Sequence, residues 1–269
     1  MQSIIDQFQL ENAVLLPEAI KVGIINQSFC LKAAEQGGKS YFLQRINHNI
    51  FQDVEGLQNN IERVTSHIRQ ILTEAGEADV ERKVLRVVPT KDGKLYYQTP
   101  EGDYWRIYVL IENALSYERI DAQSAFLAGQ AFGNFQCQLA SIDTDTLVES
   151  IPHFHDLAFR IEQLHEALAK DAAGRKAATQ DIADFLLQRA EDMCLAEQLY
   201  AEGKLTKRVN HCDTKVNNML FDEQGKPMCI VDLDTVMPGF VFSDFGDFIR
   251  TAANTGAEDD PNLDDIHVN

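Results

Sequence analysis

The sequence predicts an α+β protein in two parts: an antiparallel sheet with one packed helix over residues 1–112, and a mainly helical part over residues 113–269. Three observations carry this. Short runs rich in β-branched and aromatic residues, broken by Gly and Asp-Gly turns, fill most of the first part. One stretch inside it changes to a period of three or four residues. After Glu112 helical spacing dominates, interrupted by a β-rich block from Arg208 to Val236.

The first strands are expected within "AVLLPEAIKVGIINQSFCLKAAEQGGKSYFLQRIN", with breaks at Gly23 and at Gly37-Gly38. Residues 54–72 then place Val54, Leu57, Ile61, Val64, Ile68 and Ile71 on one helical face, with Asp53 as the N-cap. Strands return at "VLRVVPT", "KLYYQT" and "DYWRIYVLIE", separated by Asp92-Gly93 and Glu101-Gly102. Helices are expected near 121–140, 153–170 and 178–202, the second through Phe154, Leu157, Ile161, Leu164 and Leu168. Gly203 suits the position just past the third.

Composition narrows the functional classes. A net charge of -18 opposes nucleic acid and anionic membrane surfaces, because phosphate would be repelled. No run approaches the roughly 18 apolar residues that cross a bilayer. The N-terminus lacks a basic segment followed by an apolar stretch, so a cytoplasmic location is expected. Five scattered cysteines without a CxxC pair read as reduced thiols.

The block from His211 to Asp234 carries the chemistry. It contains H-x-D-x-K-x-x-N (His211, Asp213, Lys215, Asn218), then an apolar strand ending in Asp232-Leu233-Asp234. Phosphoryl transfer needs a carboxylate near the attacking hydroxyl, oxygen ligands for Mg²⁺, and cations for the phosphate charge. Asp213 can supply the first, Asn218 with Asp232 the second. Lys215 reads either as a phosphate contact or as a solvated lysine, and Asp234 either as a second ligand or as a structural carboxylate. A hairpin between Met219–Phe221 and Met228–Val231 would return Asp232 to Asn218. His211 is read as ordering the loop.

This block resembles the aminoglycoside phosphotransferase and choline kinase superfamily, which has a protein-kinase-like bilobal fold and a catalytic H-x-D-x-x-x-x-N loop. The wording "YFLQRINHNIF", "NIERVTSHI", "IPHFHD", "HCDTKVNN" and "DLDTVMPGFVFSDFGDFIR" is most similar to bacterial N-acetylhexosamine 1-kinases. The resemblance runs from about Gly23 to Arg250 and implies ATP and Mg²⁺ as cofactors and a small sugar as acceptor.

Further roles follow from the resemblance. Gly23 to Phe29, including Asn26 and Ser28, would form the turn over the nucleotide phosphates. Arg45 would stand for the strand lysine that binds the α- and β-phosphates, with Glu62 as its partner; a simple surface pair is the other reading. Residues Leu110–Asn113, with Glu112, would form the hinge that reads adenine. Asp232 would be the magnesium aspartate. The "DFG" at Asp244–Gly246 lies downstream of it and is expected to begin a helix, with Asp244 capping and bracing the catalytic loop through hydrogen bonds rather than ligating metal.

Other readings stay open. The acceptor could be an aminoglycoside, choline or another amino alcohol, or the chain could be a nucleotide-binding module without catalysis. Relatives run on for several more helices, so the C-terminal lobe is expected to be incomplete. His153 and His155 read as a non-metal pair on a helix, and the carboxylates at 258–265 as solvated.

Overall fold

The computed structural model describes residues 1–20, 23, 25–256, 261, 262, 264 and 266–268. Most of the acidic tail, and Ile24 in the expected phosphate turn, lie outside them. Two compact units are present: Met1–Ile151 with Arg208–Asn269, and Pro152–Lys207. These differ from a division at residue 112, because the β-rich block shares a core with the first sheet.

The larger unit opens with the short helix α1 (Gln2–Ile5), then β1 (Glu18–Ile20), β2 (Gln27–Leu31) and β3 (Tyr41–Ile46). Next come α2 (Val54–Glu74), α3 (Val80–Lys83), β4 (Val87–Val88), β5 (Tyr97–Gln98) and β6 (Tyr104–Val109). The strands form one antiparallel sheet in the order β1-β2-β3-β6-β4, with β5 also paired to β6.

Strand alternation sends successive side chains to opposite faces. Tyr41 and Leu43 of β3 and Trp105 and Ile107 of β6 join Ile5, Phe8, Leu31 and Val88 on one face. Phe42, Ile46, Tyr104 and Tyr108 face the other way, toward Leu57, Ile61 and Val64 of α2. That second core also takes Val209, Cys229, Leu233 and Val236 from the β-rich block. Helix α2 matches its expected apolar stripe, and Asp53 caps it by accepting the Gly56 N–H at 2.8 Å. Such a cap contributes about 1 kcal/mol.

Helix α4 (Ala122–Gln138) is capped by Asp121, which accepts the Ser124 N–H at 2.7 Å. The smaller unit holds α5 (Leu157–Lys170), α6 (Gln180–Leu187) and α7 (Ala190–Ala201), with α5 against α7. Two expectations need correction here. Asp156 accepts the Phe159 N–H at 3.0 Å and so starts α5 at Leu157, which leaves Phe154, His153 and His155 ahead of the helix. His153 sits at φ 57° and its Nδ1 lies 2.8 Å from Asp156 Oδ2. The expected helix 178–202 divides at Gln188 and Arg189.

The larger unit resumes with β7 (Arg208–Asn210), β8 (Met219–Phe221), β9 (Pro227–Ile230), β10 (Met237–Gly239) and α8 (Val241–Ala252). β7 pairs with β10 and β8 with β9, both antiparallel. Ala128 and Phe132 of α4 and Phe248 of α8 enclose Val216, Met219 and Phe221. The hairpin is therefore held from its base by two helices. Among the described residues, no helix is long and apolar enough to cross a membrane.

Candidate active site

The loop after β7 carries His211, Asp213 and Lys215, and a single 3-10 turn at Val216–Asn218 leads into β8. Strand β9 returns beside β8, and the Val231 N–H donates to the Asn218 carbonyl at 2.9 Å. Asp232 is thereby delivered next to Asn218, as the hairpin reading expects. Asn218 Nδ2 donates to the Asp213 carbonyl at 2.9 Å and to Asp213 Oδ2 at 3.1 Å. Lys215 Nζ lies 3.5 Å from Asp213 Oδ1.

Two buried groups hold this loop. The Asp213 N–H donates to His211 Nδ1 at 3.2 Å, which leaves the ring proton on Nε2 to donate to the Val231 carbonyl at 2.9 Å. One imidazole thus ties the loop that carries Asp213 to the strand that presents Asp232. Asp244 accepts the N–H groups of His211 and Cys212, each at 2.9 Å, and a third bond from Gln136 Nε2. Burial raises the Asp244 pKa, while these donors oppose the rise. Asp244 thus caps and braces the loop that carries Asp213, as expected, and α8 itself has no side-chain cap bond.

Backbone strain collects at the same place. Cys212 and Asp232 adopt left-handed conformations, at φ 64° and 58°. For residues with a Cβ this costs on the order of 1–3 kcal/mol, and such strain persists only where surrounding bonds impose it. Thr235 Oγ1 adds one of these bonds, donating to the His211 carbonyl at 2.8 Å.

The two aspartates of the D-x-D have different surroundings. Burial, and then the Asp234 charge, push the Asp232 carboxyl up to about 6, although Arg106 pulls the other way. Asp234 is committed to Arg106 on β6. Arg106 Nη2 donates to Asp234 Oδ2 at 2.8 Å, and Nη1 lies 2.6 Å from Oδ1, a contact that is ionic rather than an aligned hydrogen bond. Arg106 is 1% exposed. Burial alone would lower its pKa, but the facing Asp234 outweighs that and keeps the guanidinium charged.

The network extends outward from this pair. Arg106 Nε and Nη2 both donate to Gln44 Oε1, at 3.0 and 2.7 Å, and Gln44 Nε2 donates to Ser28 at 3.2 Å. Asn26 Nδ2 donates to Asp234 Oδ2 at 2.7 Å, while Asn26 Oδ1 accepts the Asn47 N–H at 2.9 Å. Asn26 and Ser28, expected in the phosphate turn, therefore reach the D-x-D through protein bonds. Gly23 takes φ +69°, a conformation open to glycine at little cost.

Arg45 and Glu62 are not brought together. Arg45 opposes Trp105 across β3 and β6, on the sheet face away from Gln44 and Arg106. Its Nη2 instead pairs with Asp103 Oδ1 at 2.5 Å. Glu62 accepts from Ser66 Oγ at 2.8 Å and lines an open groove of about 700 Å³ with Asn59, Arg63 and Thr146. A one-residue step in a strand changes the face, so Arg45 and its neighbour Gln44 lie on opposite faces of the sheet.

At the expected hinge, Glu112 Oε1 accepts from Ser40 Oγ at 2.6 Å. The Leu110 N–H donates to the Ser40 carbonyl at 2.9 Å, and Arg82 Nη2 reaches the Glu112 carbonyl at 3.1 Å.

Arg106 and Gln44 escaped the reading of the sequence. One signal was available: Arg106 interrupts an apolar strand on the same face as Tyr104 and Tyr108, and a buried charge requires a partner. For a cation, the donor set is one carboxylate at Asp232 and the amide oxygen of Asn218, whose Nδ2 is occupied by Asp213. Hard oxygen donors of this kind suit Mg²⁺.

Comparison with solved structures identifies the fold. The amicoumacin kinase hAmiN, solved with AMP-PNP, Ca²⁺ and Ami, is similar at 12% identity and a TM-score of 0.58, covering 93% of this chain and 67% of its own. The aminoglycoside phosphotransferase APH(3'')-Id from Streptomyces rimosus, solved with ADP and streptomycin, is similar at 10% identity and a TM-score of 0.53, covering 87% and 76%. A thermostable mutant of APH(4)-Ia, in a ternary complex with AMP-PNP and hygromycin B, is similar at 15% identity and a TM-score of 0.50, covering 86% and 70%. These likenesses show a kinase-like α+β fold with an antiparallel N-terminal sheet. Residues 18–268 match the phosphotransferase enzyme family, APH, and the chain belongs to that family.

Proposed function

We propose that this phosphotransferase moves the terminal phosphoryl group of ATP to a small-molecule hydroxyl, best the anomeric hydroxyl of an N-acetylhexosamine. The observation that carries the reaction type is the convergence of Asp213, Asn218 and Asp232 on one hairpin, braced by Asp244. The hexosamine rests on the wording shared with the 1-kinases.

Asp213 accepts a hydrogen bond from the acceptor hydroxyl and then its proton. The hydroxyl oxygen attacks the γ-phosphorus, the bond to the β-phosphate bridging oxygen breaks, and ADP leaves with that electron pair. Asn218 orients Asp213 through Nδ2 and, with Asp232, would hold Mg²⁺, which would supply positive charge to offset the phosphates. Lys215, beside Asp213, offsets charge on the transferring group.

Incubating the pure protein with ATP, Mg²⁺ and a panel of GlcNAc, GalNAc, an aminoglycoside and choline tests this reading. Hexosamine 1-phosphate and ADP are the expected products. Turnover of the aminoglycoside or choline alone would replace the acceptor. Nucleotide binding without ADP release to any acceptor would favour a non-catalytic module.

A further inference from the structure

The buried Arg106–Asp234 pair has no part in the steps above, yet it is the most completely buried charge pair among the described residues. Its side chains are 1% and 5% exposed. Burying two charges is a poor route to stability, because desolvation offsets most of the attraction and apolar residues of similar volume often do as well. The position of the pair is therefore more informative than its strength.

Four separate segments meet on it. β6 supplies Arg106, β3 supplies Gln44, the turn after β9 supplies Asp234, and the turn before β2 supplies Asn26. Both oxygens of Asp234 face the guanidinium, and Oδ2 also takes Asn26. Asn26 in turn fixes the Asn47 N–H just beyond β3. A fork with fixed geometry lets one side chain face both oxygens of a carboxylate and bond one amide oxygen twice; a lysine ammonium does not offer it.

We propose that Arg106 is a positioning residue for the phosphate end of the nucleotide site. Through Asp234 it holds both the turn that presents Asp232 and the Asn26 turn that would lie over the phosphates. This rests on the nucleotide-dependent reading above. It assigns to Arg106 the organising part that the resemblance gives to Arg45.

The test measures the affinity of Mg²⁺–AMP-PNP by calorimetry, with the thermal midpoint of each variant recorded without nucleotide. Arg106→Lys keeps the charge and loses the fork; affinity should fall about tenfold or more, in line with loss of charge-assisted bonds. Asn26→Ala, at a half-exposed residue, should fall about threefold to tenfold with little change in midpoint. The double variant should be no weaker than Arg106→Lys alone, because both act through Asp234.

Wild-type affinity in folded Arg106→Lys, or a lowered midpoint with unchanged affinity, would reduce Arg106 to a structural residue. Fully additive losses would also overturn the proposal. If Arg106→Lys does not fold, wild-type affinity in Asn26→Ala overturns it. A wild-type protein that binds no Mg²⁺–AMP-PNP removes the nucleotide reading as well, whereas tight wild-type binding with unaffected variants removes this inference alone.

Discussion

Asp244 holds Cys212 in a left-handed conformation: Oδ1 accepts the Cys212 N–H at 2.9 Å where φ is 64°. The residue after Cys212 is Asp213, so a carboxylate more than 30 positions downstream sets the direction in which Asp213, the proposed base, projects.

Replacing Asp244 with Ala should therefore act on stability and on rate together. Two backbone donors and Gln136 would lose a charged acceptor, at a cost of about 3 kcal/mol in chemical unfolding. Among molecules that remain folded, kcat should fall more than KM, because the braced loop carries Asp213, the proposed base, rather than the proposed nucleotide contacts. Steady-state kinetics on Asp244→Ala, at a temperature where the variant is folded, checks this.

Arg45 gives the contrasting case. Its pair with Asp103 is partly exposed, at 39% and 29%, and such pairs contribute under about 1 kcal/mol. Arg45→Ala should lower nucleotide affinity less than Arg106→Lys, because it lies on the other face of the sheet. A loss larger than that of Arg106→Lys would restore Arg45 to the site.

Much of the catalytic loop is legible in the sequence because its members are close in the chain. His211, Asp213 and Asn218 fall within one turn-rich segment, and the apolar run to Asp232 can only reach back to them as a hairpin. Helix α2 is legible for a similar reason: its stripe and its Asp53 cap are local signals. Arg106 and Asp234 are 128 residues apart, and no local pattern joins them. Arg45 attracts attention as a charge at the end of a strand, but the register that pairs Gln44 with Arg106 and Arg45 with Trp105 exists only in the sheet. The start of α5 was misplaced because Asp156 competes with the apolar spacing that begins at Phe154.

Helix propensity and packing oppose each other at Gly56. Alanine is favoured over glycine in a helix by about 1 kcal/mol. A Cβ at Gly56, however, would lie 2.6 Å from Val148 Cγ2 and would collide with the capping carboxylate of Asp53. Overpacking and loss of the cap should outweigh the gain, and Gly56→Ala should destabilise by about 1 kcal/mol in chemical unfolding. A more stable variant would show that the 148 region moves freely.

The thiols should divide by burial. Burial pushes the Cys229 thiol up to about 12 and raises Cys212 well above the usual range, whereas Cys137 is exposed. The thiolate is the reactive form, so at pH 8 iodoacetamide should modify Cys137 within the folded protein and leave Cys212 and Cys229 untouched. Raising the pH to 9.5 should not open the buried pair to the reagent; only unfolding should. Peptide mass mapping before and after denaturation reads the difference.

The most direct measurement is phosphoryl transfer by Asp213→Asn beside its Mg²⁺–ATP affinity. The variant keeps the size of the side chain and the backbone bonds to His211 and Asn218, and it loses the proton acceptor. Transfer should fall by about a hundredfold or more, the usual reach of general-base catalysis, with nucleotide affinity within about threefold of wild type. Turnover near the wild-type rate would contradict the assignment of Asp213 as the base, and with it the account of this site.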